Sequence, residues 1–447
     1  MNHGNPAGHT ARTYNMQTVR FTGVAALLFL FALVRVFRPM SDWAYTQWLF
    51  SYQYGFVKRG LHGEILHRLG ADGSYILIVS LSVLILAGIS VLLFRLFLIL
   101  LTGNQNLPEG GKTLLSSPIQ LKVWLFFLLA MFHSATFQML YFNIGRLEHI
   151  HLILTLACLL LMVQGPDTGS EKKGGTVSSR KRSVLFPAVT FTVLVSLLVH
   201  EAFYFFFLPV LFMAWIYTDR GTLIYNIMRA SLFAGASILT WYIAVYGLMD
   251  IDQYYPYMEA MREQYGSRAL YSSLMVVFRD TSMNLEYTQH WLLNSPRIPV
   301  YILFFLMMMS PGAIFFWKLY RRDFQHSLKA LKTLFSSRKI TTSESESLLR
   351  AAVILSCLSP LCLIPLGFDV FRWFGITFLN LFMMTALLSI NNSFRTHLYA
   401  ITNRYWYLAA LAIGLSFLIG GLDAFYSFSS SIHAADWGEI IFRYISS

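Results

Sequence analysis

Apolar runs about as long as a bilayer is thick recur along this chain from residue 21 to residue 422. A helix needs about 20 apolar residues to cross the hydrocarbon core. Backbone groups at that depth must be satisfied inside the segment. The runs therefore predict an all-α, polytopic integral membrane protein with eleven transmembrane helices. They lie at 21–39, 74–101, 120–142, 151–164, 184–200, 202–217, 230–248, 299–317, 351–367, 373–390 and 406–422. The fifth and sixth also read as one long tilted helix, which would change the parity. One transmembrane domain is expected to occupy 1–447, with an exterior interfacial segment at 40–73, a large exterior loop at 249–298 and a basic cytoplasmic segment at 318–349.

Composition agrees with that expectation. Only 13% of residues are charged and 56% are apolar, whereas soluble domains carry about 25% charged residues. Disorder, collagen-like repeats and a disulfide-rich secreted fold are excluded. Cys158, Cys357 and Cys362 sit in apolar runs and read as small core residues. The first run follows Arg20, lacks a small-residue cleavage site and precedes Arg35 and Arg38, so it reads as a retained span rather than a signal peptide.

The net charge of +12 does not point to nucleic acid, because the basic residues sit in short loops between apolar segments. There they orient a membrane protein. With the N-terminus inside, loop 165–183 carries five cations against two carboxylates and segment 318–349 carries seven against three, both cytoplasmic. Segment 249–298 carries four Arg against six carboxylates and falls outside. Loop 165–183 is Gly-, Ser- and Lys-rich and reads as a linker. Segment 318–349 mixes basic residues with Leu and Phe, as an interfacial helix on an anionic leaflet would.

The unusual polar residues gather at exterior span ends. The first group runs from Ser41-Asp42-Trp43 to Tyr54-Gly55-Phe56-Val57-Lys58-Arg59-Gly60-Leu61-His62-Gly63-Glu64. Adjacent cations followed by Gly suit an oxyanion, with charge from the side chains and close approach from the Gly. Trp43, Trp48 and Lys58 read equally well as interfacial anchors. The second group is Gly145-Arg146-Leu147-Glu148-His149-Ile150-His151. Arg146 could bind phosphate while Glu148 accepts a proton or orients Arg146; an ordinary polar turn is the other reading. His149 and His151 are two apart and share no helix face, so a helical metal pair is not expected.

The third group is His200-Glu201 ahead of Phe203 to Phe207. An ionisable pair in so apolar a run needs a cavity or a partner. Burial should raise the Glu201 pKa, which makes Glu201 the first choice of general base, His200 the second and Asp42 the third; the other readings are a tight loop between two hydrophobic helices and a Glu201 that merely pairs with an Arg. The fourth is Gly367-Phe368-Asp369-Val370-Phe371-Arg372-Trp373. Asp369 and Arg372, three apart, either tie spans together or aim a phosphate-binding guanidinium. His433, Asp436 and Trp437 form a fifth patch.

These motifs, with Asp42, the run from Tyr54 to Leu61, Gly145 to Glu148 and Asp369 to Trp373, resemble bacterial surface-polysaccharide membrane proteins of the Wzy repeat-unit polymerase type. The plan is also similar to multi-spanning, GT-C-like glycosyltransferases with polyprenyl-linked donors. The resemblance implies a Wzy-like or GT-C-like bundle in the bacterial inner membrane with a periplasmic reaction. A glycan would leave undecaprenyl diphosphate and join a second carrier-linked unit. Donor, acceptor, membrane lipids and a chain-length regulator are the implied partners. Arg59, Lys58, Arg146, Glu148, His149, Asp369 and Arg372 would bind substrate, and Arg262, Arg268 and Arg279 are further candidates by analogy. No cofactor is required; with Asp42 alone in the first exterior segment, a divalent metal stays an open choice. The alternatives are a flippase or transporter of the same glycan, or a non-catalytic assembly protein.

Overall fold

The fold was obtained as a computed structural model, which describes residues 39–71, 73–102, 126, 128–142, 144–163, 179–219, 221–294, 298–335, 341–367 and 370–419. Those residues form helices and connections with no strand. The principal helices are α1 (Asp42–Trp48), α2 (Leu61–Arg68), α3 (Tyr75–Thr102), α4 (Glu148–Val163), α5 (Ser179–Val199), α6 (Leu208–Thr218) and α7 (Leu223–Tyr246). They continue as α8 (Ile251–Tyr265), α9 (Thr281–Asn294), α10 (Ile298–Phe335), α11 (Thr342–Ser356), α12 (Val370–Leu388), α13 (Asn392–Arg404) and α14 (Trp406–Ile419).

The expectation of eleven spans is corrected here. Among the described residues, four segments are long and apolar enough to cross a membrane: Tyr75–Phe97, Arg182–Val199, Leu223–Tyr246 and Thr342–Leu366. Run 202–217 breaks at Phe207 into Phe203–Phe206 and the 11-residue α6. At 1.5 Å per residue α6 reaches about 17 Å, short of a hydrocarbon core of about 30 Å. Runs 151–164, 373–390 and 406–422 likewise yield shorter apolar helices: Glu148–Val163, Arg372–Leu388 and Trp406–Leu415. Of run 120–142 the structure describes helical residues at 126 and 128–132, the short helix Ser134–Phe137 and a π-helical Gln138–Phe142; 120–125 and 127 lie outside the described residues. Run 299–317 continues without a break into the basic stretch as the 38-residue α10. Hydropathy counted apolar residues and could not see where the backbone breaks. Run 21–39, except Pro39, and the patch at His433, Asp436 and Trp437 lie outside the described residues.

Two hydrophobic cores organise the molecule. The larger takes Leu86 to Phe97 of α3, the apolar faces of α4 to α6, and buried Phe315, Phe382 and Met383 from α10 and α12. The break before α6 is satisfied by side chains: Ser359 Oγ donates to the Phe205 carbonyl at 2.6 Å, and Asn380 Nδ2 to the Phe206 carbonyl at 2.8 Å. Non-helical backbone between apolar helices is tolerated where protein supplies such partners.

The smaller core joins Met40, Tyr45, Trp48, Phe50 and Val57 to Tyr254, Tyr257, Met261, Leu274 and Val277. It makes a cap from segments 40–68 and 249–278. The Thr46 hydroxyl links the two, donating to the Arg268 carbonyl at 3.0 Å and accepting from the Leu270 N–H at 2.9 Å. Ser273 Oγ donates to the Trp43 carbonyl at 3.1 Å. The cap is fastened to the bundle by Trp48 Nε1, 2.6 Å from the Gly145 carbonyl, and by the Lys58 N–H, 2.9 Å from the Gly247 carbonyl.

Candidate functional site

A cavity of about 720 Å³ lies between cap and bundle. The cap contributes Asp42, Trp43, Lys58 and Arg59, and the segment after α8 contributes Arg279 and Asp280. The bundle contributes Arg146, His200, Glu201 and Arg372, with an apolar wall of Phe205, Ala244, Leu363 and Leu366. Five cationic side chains thus face three carboxylates across one space.

Glu201 sits in the short connection after α5, where the helix ends at His200-Glu201. Arg59 reaches it from the cap, with Nη2 at 3.0 Å from Oε1 and Nε at 3.4 Å from Oε2. His200 Nδ1 lies 3.3 Å from Oε2 and 3.1 Å from the Ala202 N–H. Burial alone would raise the Glu201 carboxyl, but the charge of Arg59 first, with the neighbouring His200 ring and the charge of Lys58, outweighs it and holds the group well below the usual carboxylate range. At neutral pH the cations responsible are Arg59 and Lys58. The expected raised pKa is therefore reversed, and Glu201 is too acidic to serve well as a base at neutral pH. Burial and the adjacent Arg59 push His200 below the ordinary histidine value, so its ring is neutral at pH 7.

Arg59 itself occupies a left-handed backbone conformation, φ 65°, the only non-glycine residue to do so among the described residues. Such strain persists only where surroundings impose it, and it concentrates at functional sites. The sequence pointed instead to Gly60 as the permissive residue. Gly60 has an ordinary backbone, and it is small because a Cβ there would lie 2.3 Å from Cε1 of Tyr52.

Arg372 pairs with Glu148, Nη1 to Oε1 at 3.2 Å, and its guanidinium lies 4.3 Å from the Trp373 ring. Glu148 is buried and does not line the cavity. It serves the site through Arg372. The Arg146 guanidinium lies 4.5 Å above the Trp43 ring, which joins bundle to cap. Lys58 is buried, and its Nζ donates to the Arg279 carbonyl at 2.8 Å. Burial lowers its pKa to about 8. Asp42 opens α1 after the capping Ser41, and burial raises its carboxyl against the opposing charge of Arg268.

Of the sequence candidates, the structure brings together Asp42, Lys58, Arg59, Arg146, His200, Glu201 and Arg372. His149 is not among them: its ring faces the core, with Nε2 3.0 Å from the Met139 carbonyl. Asp369 lies outside the described residues. Arg279 lines the cavity, whereas Arg262 and Arg268 do not; the Arg268 guanidinium lies 4.1 Å from the Tyr75 ring. Asn284 and Tyr287 also line the cavity and carried no signal in the sequence. Among the described residues, no group of three or more His, Cys, Asp or Glu is placed to hold a metal ion. Compared with protein-family models, curated proteins and solved structures, the chain matches none of them.

Proposed function

We propose that the protein is a multi-pass membrane transferase of the bacterial inner membrane. Its substrate would be a polyprenyl-(di)phosphate-linked glycan, engaged at the periplasmic face for surface-polysaccharide synthesis. The observation that carries this reading is the composition of one cavity. Arg59, Arg146, Arg279 and Arg372 face it beside an apolar wall of Phe205, Ala244, Leu363 and Leu366. A ligand suited to both is an anion attached to a hydrocarbon chain. Guanidiniums are the preferred forks for phosphate oxygens, and the apolar wall suits the start of a lipid.

In the proposed step an acceptor hydroxyl oxygen attacks the anomeric carbon of the donor. The bond from that carbon to the phosphate oxygen breaks, and the (di)phosphate leaves with the bonding electrons. Arg59, Arg146 and Arg372 stabilise the charge that grows there. The hydroxyl proton passes to His200. Nδ1 accepts from the Ala202 N–H at 3.1 Å in this arrangement; in the proposed reacting state it gives up that bond and carries a proton directed at the ionised Glu201, whose Oε2 is 3.3 Å away. That leaves Nε2 with its lone pair for the acceptor. Glu201 thereby orients both Arg59 and His200 and is no longer the proposed base.

Purified protein in proteoliposomes with a lipid-linked donor tests the assignment. His200→Gln should lower transfer by about 10²–10⁴ while donor binding persists. Arg59→Lys should also impair transfer, since a point charge does not replace a bidentate fork. Transfer by His200→Gln at the wild-type rate would remove His200 as base. Donor translocation by wild-type protein without any transfer would favour a flippase.

A further inference from the structure

Helix α5 joins two charged sites. At its cavity end it runs into His200-Glu201; near its other end stands Arg182. The apolar stretch Arg182–Val199 has 18 residues, which at 1.5 Å each span about 27 Å, close to one hydrocarbon thickness.

Asp219, buried where α6 ends, is the centre of the second site. Arg182 donates to it twice, Nε to Oδ2 at 2.9 Å and Nη2 to Oδ1 at 2.7 Å. From α7, Arg229 donates Nη1 to the Asp219 carbonyl at 2.6 Å and Nη2 to Oδ2 at 2.9 Å. The Arg229 guanidinium lies between the rings of Tyr225 and Trp215, at 4.4 and 4.8 Å from their centroids. Among the described residues, one carboxylate here meets two guanidiniums, so one positive charge is left over. Arg229 is 1% exposed, and its Nε has no hydrogen-bond partner. Arg182 keeps 18% of its side chain exposed, whereas Arg229 is buried, so the charge left over on the Arg229 side is costly unless an anion neutralises it.

Arg229 also lines a separate cavity of about 380 Å³ with Phe212, Ile216, Asn226, Ser345 and Leu349. Asn226 and Ser345 are exposed and supply a polar rim, while the other three supply an apolar half. Neighbouring carboxylates on α11 have other partners. Glu344 accepts from the Thr341 N–H at 2.9 Å in a capping box, and Glu346 lies 3.9 Å from Arg350.

We infer that this second cavity binds a phosphate anion, that of an anionic phospholipid headgroup, at the membrane face opposite the large cavity. The inference rests on the membrane placement proposed above and not on the proposed transfer activity. Charge complementarity fixes the headgroup sign, and the apolar half takes the first part of an acyl chain. Basic pockets between helices on the cytoplasmic side are a general way of holding such headgroups.

The test uses full-length protein purified in mild detergent and stripped of lipid. Phosphatidylglycerol, phosphatidylcholine and inorganic phosphate are titrated separately, with binding read by native mass spectrometry and thermal unfolding. Phosphatidylglycerol should bind at least about tenfold more tightly than phosphatidylcholine. Asn226→Asp places a carboxylate where the amide oxygen now lies 3.2 Å from Arg229 Nη1. It should supply the missing charge, keep the fold and abolish the preference for phosphatidylglycerol. Leu349→Trp should fill the apolar half and weaken the lipid without weakening inorganic phosphate. If inorganic phosphate stabilises as well as the lipid and Leu349→Trp changes neither, the phosphate site stands with a free anion as its source. Equal binding of the two lipids with no effect of inorganic phosphate, or a preference unchanged in Asn226→Asp, would overturn the site. Carbonate extraction of membranes is the separate check on placement: release of the protein refutes the membrane reading, whereas a retained protein without headgroup preference refutes only this site.

Discussion

Cap and bundle, each with an apolar core, differ in the balance of forces that holds each one together. In the bundle, wholly buried Phe206, Phe207, Trp215, Phe315 and Phe382 pack without polar atoms, apart from Trp215. In the cap, short helices are stitched by Thr46, Ser273 and Tyr45, whose hydroxyls bond to backbone of distant segments. Apolar packing tolerates small shifts, since it is non-directional. Hydrogen bonds fix direction and register. The difference suggests why the charged cavity lies where the two meet: the cap aims Lys58 and Arg59, and the bundle supplies the apolar surroundings that make their charges effective.

Among changes that set cap against bundle, the largest expected effect comes from cutting the bond between them. Arg59→Ala leaves Glu201 without the partner now 3.0 Å away. Transfer should fall by about 10²–10³, measured in proteoliposomes. Adding Glu201→Gln should recover folding but not transfer, and a double-mutant cycle should show coupling of about 1–3 kcal/mol. Additive effects would mean that cap and bundle meet here without depending on each other.

Glycines sharpen the contrast next. A Cβ on Gly63 would lie 2.0 Å from the Phe50 carbonyl oxygen, a backbone atom of the cap that cannot swing aside. Gly63→Ala should lower stability by about 1–3 kcal/mol or more. In α7 a Cβ on Gly235 meets nothing within 4 Å. Gly235→Ala should stay within about 0.5 kcal/mol. Thermal unfolding of both variants in one detergent compares them directly, and equal losses would deny the cap its tighter geometry.

A smaller effect separates the two parts by pH. Lys58 of the cap has its pKa lowered from 10.5 to about 8 by burial. Its charge is therefore lost as pH rises through about 8, and donor affinity should fall in that range. Stability should move the other way: between about 8 and 10.5 the unfolded chain holds a proton that the native chain does not, so stability rises with pH. Glu201 and His200 of the bundle, both lowered, contribute stability that is present above their unfolded values and lost as pH falls through the folded ones. Lys58→Met should abolish the alkaline limb alone; an unchanged limb would assign it elsewhere.

The smallest expected effect is at Trp43, whose ring lies 4.5 Å from the Arg146 guanidinium. Trp43→Leu removes a cation–π contact worth about 0.5–1 kcal/mol. Donor binding, measured by calorimetry, should weaken a few-fold. A loss as large as that of Arg59→Ala would give Trp43 a direct role against the substrate.

Much of this was legible in the chain. Apolar runs and scarce charges specified helices of membrane character, because hydropathy is local and adds along the sequence. Dense polar groups in apolar surroundings marked Arg59, Arg146, His200, Glu201 and Arg372, since charges there need partners. Three things were decided only by tertiary structure. The span count failed at breaks such as Phe207, where Ser359 and Asn380 satisfy carbonyls from far along the chain. The roles of Glu201 and His200 turned on Arg59, 142 residues away, whose charge reversed the effect of burial. His149 and Glu148, adjacent in sequence, parted: one bonds to Met139 in the core and the other holds Arg372. Hydrophobicity belongs to each residue and can be summed before the chain folds, whereas a pKa or a hydrogen-bond partner belongs to a pair and exists only once folding has brought the pair together.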